Sequence, residues 1–211
     1  GVSDMDCTPT EKNSPGLRFA EHLKNLTQIG KALSAERNID RLFEMILDEA
    51  RSFTNADGGT LYIMDEERKM LRFGIIQNDS LKVRMRGTAE SITWPPVQLY
   101  NEDESPNYAN VSSYAALSGN IVNIPDVYHA EEFDFEGTRK FDENTGYRSQ
   151  SMLVVPMKNH EDDIIGVLQL LNAKDGSTGK VITFSAECQA LTESLASQAA
   201  VALTNTILIK D

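Results

Sequence analysis

An α+β domain built on a central antiparallel sheet is predicted by three observations. Helical apolar periodicity marks both ends of the chain, and strand-like alternation or apolar runs occupy the middle. Short polar connections join consecutive strand runs, which forces antiparallel pairing.

The elements follow in order. Residues 1–16 carry Thr, Ser, Pro and charge without periodicity and read as a disordered lead-in; residues 17–211 read as one domain. In the first helix, residues 17–36, Phe19, Leu23, Leu26, Gly30 and Leu33 recur at steps of four and three. That is a short heptad seam, suited to pairing with a second copy or to packing on the helix's own domain. Asn38 is positioned to cap a second helix, whose apolar face is Ile39, Leu42, Phe43, Ile46, Leu47, Ala50 and Phe53. Asp57-Gly58-Gly59 reads as a turn. Two strands follow around Leu61 and Ile63 and around Leu71, Phe73 and Ile75, joined by the polar residues 65–69. Residues 78–110 read as an irregular loop, interrupted by Pro95, Pro96 and Pro106.

A short helix is expected over residues 112–117, stopped by Gly119, and a short strand over 121–124. Asp126 is placed to cap another helix reaching about Phe133. Residues 152–157 and 164–171 are near-continuous apolar runs, so they should be central strands covered on both faces. Gly176-Ser177-Thr178-Gly179-Lys180 reads as a plain turn, and residues 185–210 as the closing helix, with Cys188, Leu191, Leu195 and Ala202 on its buried side.

Composition narrows the function. The chain has 211 residues, 40% of them hydrophobic, enough for one sizeable core. Its net charge of -12 disfavours nucleic acid and anionic membrane as partners. No apolar run approaches the ~20 residues that cross a bilayer. Two cysteines, Cys7 and Cys188, make no disulfide framework, which fits a cytoplasmic location. The chain begins with Gly, as an excised piece of a longer protein would.

Catalytic chemistry has no carrier. His22, His129 and His160 have no partner at metal-ligand spacing, and neither cysteine has a neighbouring histidine. The phosphate-loop and nucleophile-elbow motifs are absent. The carboxylates Glu131, Glu132, Asp134, Glu136, Asp142 and Glu143 match no calcium loop and read as a solvated acidic segment. Binding remains. Helix starts at Val111 and Ser112 and at Asp126 would offer unpaired N–H groups to an anion. Arg139, Lys140 and Arg148 add cations, and Phe133, Phe135, Phe141 and Tyr147 add flat faces, a set suited to a planar ring carrying a phosphate or to folding a lid onto the sheet.

The motifs Asn123-Ile124-Pro125-Asp126-Val127-Tyr128, Asn144-Thr145-Gly146-Tyr147-Arg148-Ser149, Met152-Leu153-Val154-Val155-Pro156-Met157 and Ile165-Gly166-Val167-Leu168-Gln169-Leu170-Leu171-Asn172 together resemble the GAF domain, in particular its cyclic-nucleotide-phosphodiesterase-like type. The resemblance covers roughly residues 20–208. It implies a GAF/PAS-like central antiparallel sheet with the N- and C-terminal helices on one face and a lidded ligand pocket on the other. It implies main-chain N–H groups of Val111 and Ser112 at a phosphate, Asp126 and Thr145 at base and ribose, Gln169 as a polar strand contact, and Gln77 and Asn78 at the pocket floor. Tyr147 and Arg148 complete the expected ligand set.

The sequence departs from that pattern at Asn110, where cyclic-nucleotide relatives often carry Gly. It departs again at Ala173, Cys188 and Gln189, which stand where Lys, Asp and Glu are expected. Both partners of a buried ion pair are thereby replaced together, a change that leaves no uncompensated charge. The resemblance implies a regulatory, non-enzymatic module with no required cofactor, binding a small molecule such as a cyclic nucleotide or related purine. Its expected partners are a second copy through the terminal helices and an attached output domain. A ligand-free dimerisation and relay module of a larger enzyme (an HD-GYP-type phosphodiesterase, a cyclase or a kinase) is the alternative.

Overall fold

The computed structural model describes residues 15–86, 92 and 94–210, with side chains described for 20–86, 92 and 94–207. The lead-in predicted over residues 1–16 falls almost wholly outside them. The chain order is α1 (Pro15–Ala35), α2 (Ile39–Thr54), β1 (Ala56–Met64), β2 (Met70–Asn78), β3 (Val83–Arg86), β4 (Val97–Gln98), α3 (Val111–Ser118), β5 (Val122–Ile124), α4 (Glu136–Thr145), β6 (Met152–Lys158), β7 (Ile164–Lys174), β8 (Val181–Ile182) and α5 (Ala186–Lys210).

The sheet runs β3-β2-β1-β7-β6-β5, with β4 adding to β2 and β8 to β7; all the pairings are antiparallel. The two longest-range partners, β1 and β7, therefore lie at its centre. Strand alternation divides their side chains. Leu61, Leu168 and Leu170 pack under the helices with Leu42, Ile46, Leu47, Leu191, Leu195 and Leu203. Tyr62 and Val167 face the other way, with Val111, Ala115, Val127, Phe135, Met152 and Val154. Burial of these two apolar sets on opposite faces is the main stabilising term of the three-layer arrangement.

Local chemistry sets the boundaries. Asn38 caps α2 through its side-chain oxygen, which accepts from the Arg41 N–H at 3.0 Å; Asn55 ends the helix in the left-handed region. Gly119 and Gly146 end α3 and α4 in the same conformation, at φ 73° each.

Several expectations are corrected. Asp57, Gly58 and Gly59 belong to β1 instead of a turn. Glycine serves close approach there: a Cβ on Gly59 would sit 2.7 Å from Leu47 Cδ1 of the covering helix. The segment 78–110 contains β3 and β4, which extend β2 at its two ends. Residues 126–133 form turns; the helix begins at Glu136, whose N–H is taken by the Asp134 carboxylate at 2.9 Å. Asp126 is drawn instead into a turn with the Tyr128 N–H at 3.0 Å, the usual competing use of an Asx side chain.

The heptad seam of α1 is spent on its own domain. Leu26 and Leu33 are buried in the core shared with α2 and α5, and Gly30 lies beneath the Gln198 side chain. The contacts of His22 with Glu187 and of Gly30 with Gln198 show that α1 and α5 lie side by side in the same direction. Leu23, from the same seam, is exposed, and the Phe19 side chain is outside the described residues. Ala173 and Cys188 are both buried in that core, so apolar packing occupies the place where the resemblance implies an ion pair. Cys188 is disulfide-bonded; Cys7 lies outside the described residues. No described helix is long and apolar enough to cross a membrane.

Candidate functional site

The centre of the sheet is polar on the face turned away from α2 and α5. Thr60 on β1 and Gln169 on β7 are paired in register and share the face of Tyr62 and Val167. Both are half-buried although they stand on the two central strands. Gln169 also faces Val154 across the β6 pairing. The Ser112 hydroxyl, fully buried at the start of α3, donates to Gln169 Oε1 at 2.9 Å. Burial pushes the Tyr62 hydroxyl pKa up to about 12, against an opposing pull from the nearby Ser112 hydroxyl.

The first turn of α3 supplies donors. The Asn110 side chain caps it by accepting from the Ser113 N–H at 3.0 Å. The N–H groups of Val111 and Ser112 have no acceptor within the helix, which is the geometry that favours an anion. Val111 and Ser112 are both buried, so those groups sit where solvent screens little. Asn110 thus provides an ordinary cap where the resemblance implies glycine.

Aromatic rings continue the wall. Phe73 stacks at a tilt on Tyr62 (4.9 Å between centroids), Trp94 meets Phe73 edge-on at 5.8 Å, and Phe141 meets Trp94 at 5.9 Å and Tyr147 at 6.4 Å. The series runs from the sheet floor to the loop joining α4 to β6. Phe135 is buried in the pocket-side core, with Phe133 packed against it.

That loop is held at two adjacent residues. Tyr147 donates its hydroxyl to Asp57 Oδ2 at 2.7 Å and accepts from Asn172 Nδ2 at 2.9 Å. Burial first, and then the Asp57 carboxylate, raise the Tyr147 pKa. Asp57 also receives the Lys174 ammonium at 3.0 Å. Desolvation works against its charge, but hydrogen bonds from Ser80, Tyr147 and Lys174 hold the carboxyl below the usual range.

Arg148 grips Asp126 with both carboxylate oxygens within 3.2 Å and lies 3.9 Å from the Tyr128 ring centroid. Desolvation opposes ionisation of Asp126, yet the Tyr128 N–H and Arg148 keep its pKa low. Beneath them the buried Asp142 accepts from the Tyr128 hydroxyl at 2.6 Å and from the Ser149 N–H and hydroxyl at 2.9 and 2.8 Å. Asp142 had read as part of a solvated acidic segment; here it is the satisfied centre of the lid.

The expected ligand set therefore divides. Ser112, next to Val111 at the start of α3, meets Gln169, whereas Tyr147 is bound to Asp57 and Asn172. The Asn78 side chain caps the Leu81 N–H at 3.0 Å and touches the Tyr147 hydroxyl. Asp126 and Arg148 pair with each other on the lid. Gln77 does not belong to the site: it points to the helix face, accepting from Arg51 Nη1 at 2.7 Å and donating to Asp48 at 2.9 Å. A bulge between the first two strands shifts the alternation along β2, and Gln77 lies beyond it. Thr145 is exposed and its hydroxyl returns to the Phe141 carbonyl at 2.7 Å. The cations expected to meet an anion have other partners, Lys140 with Glu136 at 3.4 Å and Arg139 over Tyr128 at 5.7 Å.

Sequence reasoning missed Thr60, Tyr62, Asp57 and Asn172. A polar residue alternating with Leu61 was the available signal for Thr60. Asn172 adopts φ 57° and satisfies its whole side-chain amide: Oδ1 accepts from Gln150 N at 2.7 Å, and Nδ2 donates to Tyr147 and to the Arg148 carbonyl at 2.9 Å each. Among the described residues no cluster of three or more His, Cys, Asp or Glu could hold a metal ion.

A family model for the GAF domain matches residues 38–203, and the chain belongs to that family. Among curated proteins, it is 28% identical over 167 residues to the dual 3′,5′-cyclic-AMP and -GMP phosphodiesterase 11 of Drosophila melanogaster, covering 76% of this chain and 10% of that protein. It is 30% identical over 147 residues to a cGMP-specific 3′,5′-cyclic phosphodiesterase of Drosophila pseudoobscura pseudoobscura, covering 67% of this chain and 12% of that protein. The chain thus spans about a tenth of the length of these relatives. Among solved structures, the GAF domain of a phosphoenolpyruvate-protein phosphotransferase from Coxiella burnetii aligns with a TM-score of 0.65 at 14% identity, covering 91% of this chain and 98% of that one, a likeness of fold.

Proposed function

We propose that this GAF domain is a regulatory sensor that binds a cyclic nucleotide or related purine in the cleft between the sheet and α3. The observation that carries the reading is the polar Thr60 and Gln169 pair, half-buried at the centre of the sheet in front of the free N–H groups of α3. A phosphate suits those N–H groups, and a planar ring suits the aromatic wall. The similarity to phosphodiesterases of cyclic AMP and cyclic GMP supports the same ligand class.

The chain is proposed to do no chemistry itself and to need no cofactor; an attached output domain in a longer, cytoplasmic protein would read its state. Ligand shifts the lid only by the free energy with which it discriminates lid states, commonly about 1–3 kcal/mol. Helices α1 and α5 would carry that change outward, alone or within a homodimer. Isothermal titration of the domain with cyclic AMP and cyclic GMP tests the reading: saturable heat with either supports it, and no heat and no melting shift with both refutes it.

A further inference from the structure

The outer edge of β2 is bare at its middle. β3 pairs with it only at residues 75–78 and β4 only at Met70 and Leu71, so Arg72, Phe73 and Gly74 have no strand partner on that side among the described residues. The bulge falls in this gap: Leu61 pairs with Ile75 and Tyr62 with Phe73, which leaves Gly74 as the extra residue. A cavity of about 360 Å³ opens there. Phe43 of α2, Ile63 and Arg72 line it from the helix side, the last two paired in register. Phe73, Trp94 and Pro96 complete it. Trp94 meets Phe73 edge-on at 5.8 Å yet stays 41% exposed, a large apolar surface left to solvent at the cavity wall.

Arg72 supplies a charge. Arg84 and Arg86 on the neighbouring strand are committed to Asp48 and Glu44, whereas the Arg72 guanidinium has no hydrogen-bond or ion-pair partner among the described residues. A cavity walled by aromatic and aliphatic side chains, with one unpaired guanidinium, suits a flat apolar body that ends in a carboxylate. The guanidinium fork can hold both carboxylate oxygens at once. We propose that this cavity is a second ligand site, which takes a small aromatic carboxylate with its ring against Phe73 and Trp94 and its carboxylate on Arg72. The site does not rest on the cyclic-nucleotide reading, because neither Ser112 nor Gln169 lines it.

Trp94 is the single tryptophan of the chain, so its emission reports on the cavity directly. The experiment titrates the domain with phenylacetate and with its uncharged amide, phenylacetamide, and repeats both with Arg72→Met, which keeps an apolar stem and removes the charge. Thermal melts establish that the variant is folded. Phenylacetate should change the Trp94 emission saturably, and the amide should bind at least about tenfold more weakly, the worth of a hydrogen bond to a charged group. Added salt should weaken the acid alone. Arg72→Met should bind acid and amide alike. If that variant does not fold, the comparison of acid with amide on the unaltered domain decides the matter. No saturable change at millimolar phenylacetate, equal binding of acid and amide by the unaltered domain, or undiminished binding of the acid by Arg72→Met would overturn the inference. An emission change that follows protein concentration without any ligand would assign the gap to a second copy of the chain and overturn it as well. Each of these outcomes leaves the nucleotide reading to its own titration.

Discussion

The Tyr147 hydroxyl donates to Asp57 at 2.7 Å, fastening the loop between α4 and β6 to the first strand of the sheet. Asp57 is simultaneously the partner of Lys174 at the end of β7, and its backbone carbonyl accepts from Arg51 of α2 at 3.3 Å. One carboxylate residue thus joins lid, sheet and the helical layer.

Tyr147→Phe removes this bond and leaves a charged acceptor short of one donor. A loss of about 1–2 kcal/mol in urea denaturation is expected at neutral pH. The pH dependence follows from the low pKa of Asp57. A depressed carboxyl contributes stability above its unfolded value of about 3.9 and loses it as pH falls through the lower folded value. The stability gap between the two proteins should therefore be full at pH 6 and shrink below about pH 4.

Gln77→Ala separates a structural role from a binding one. Arg51 is buried and uses Gln77, the Ala56 and Asp57 carbonyls and Asp79, the last at 2.5 Å. Losing the Gln77 oxygen should lower stability by about 1–3 kcal/mol and leave nucleotide affinity within a factor of about two. A selective loss of affinity without loss of stability would return Gln77 to the cleft.

Much of this architecture was legible beforehand because its signals are local. Asn38 and Gly119 bound helices with their own side chain or backbone freedom, and the apolar runs of β6 and β7 state their burial directly. The misses depend on longer-range events. The resemblance put Gln77 on the floor, but beyond the β-bulge at Gly74 its side chain meets Arg51 and Asp48 on the helix side. Asp126 was spent on Tyr128 and Arg148 instead of a helix start, and Asp142 gained its role only when Tyr128 and Ser149 folded around it. Val111, Ser112 and Gln169 were named through the resemblance, whereas Thr60 needed its strand partner Gln169 to be noticed.

Gly166→Ala tests the tightness of the central pairing. A Cβ there would lie 2.1 Å from the Tyr62 carbonyl oxygen, a backbone atom that cannot rotate away. Destabilisation of about 3 kcal/mol is expected, near the upper end for overpacking, measured as a lowered denaturation midpoint with an unchanged slope.

Asp126→Asn frees Arg148 from its half-exposed ion pair. The stability change should stay below about 1 kcal/mol and fade with added salt, as for other solvated pairs. If the pair latches the lid, nucleotide dissociation measured by stopped flow should nevertheless accelerate several-fold.

The central claim, a cyclic-nucleotide cleft between α3 and the sheet centre, is tested most directly by amide NMR during titration with cyclic GMP. The backbone signals of Val111 and Ser112 and the side-chain amide of Gln169 should move together and saturate with one affinity. Saturable shifts confined to other surfaces, or none at millimolar nucleotide, would contradict it.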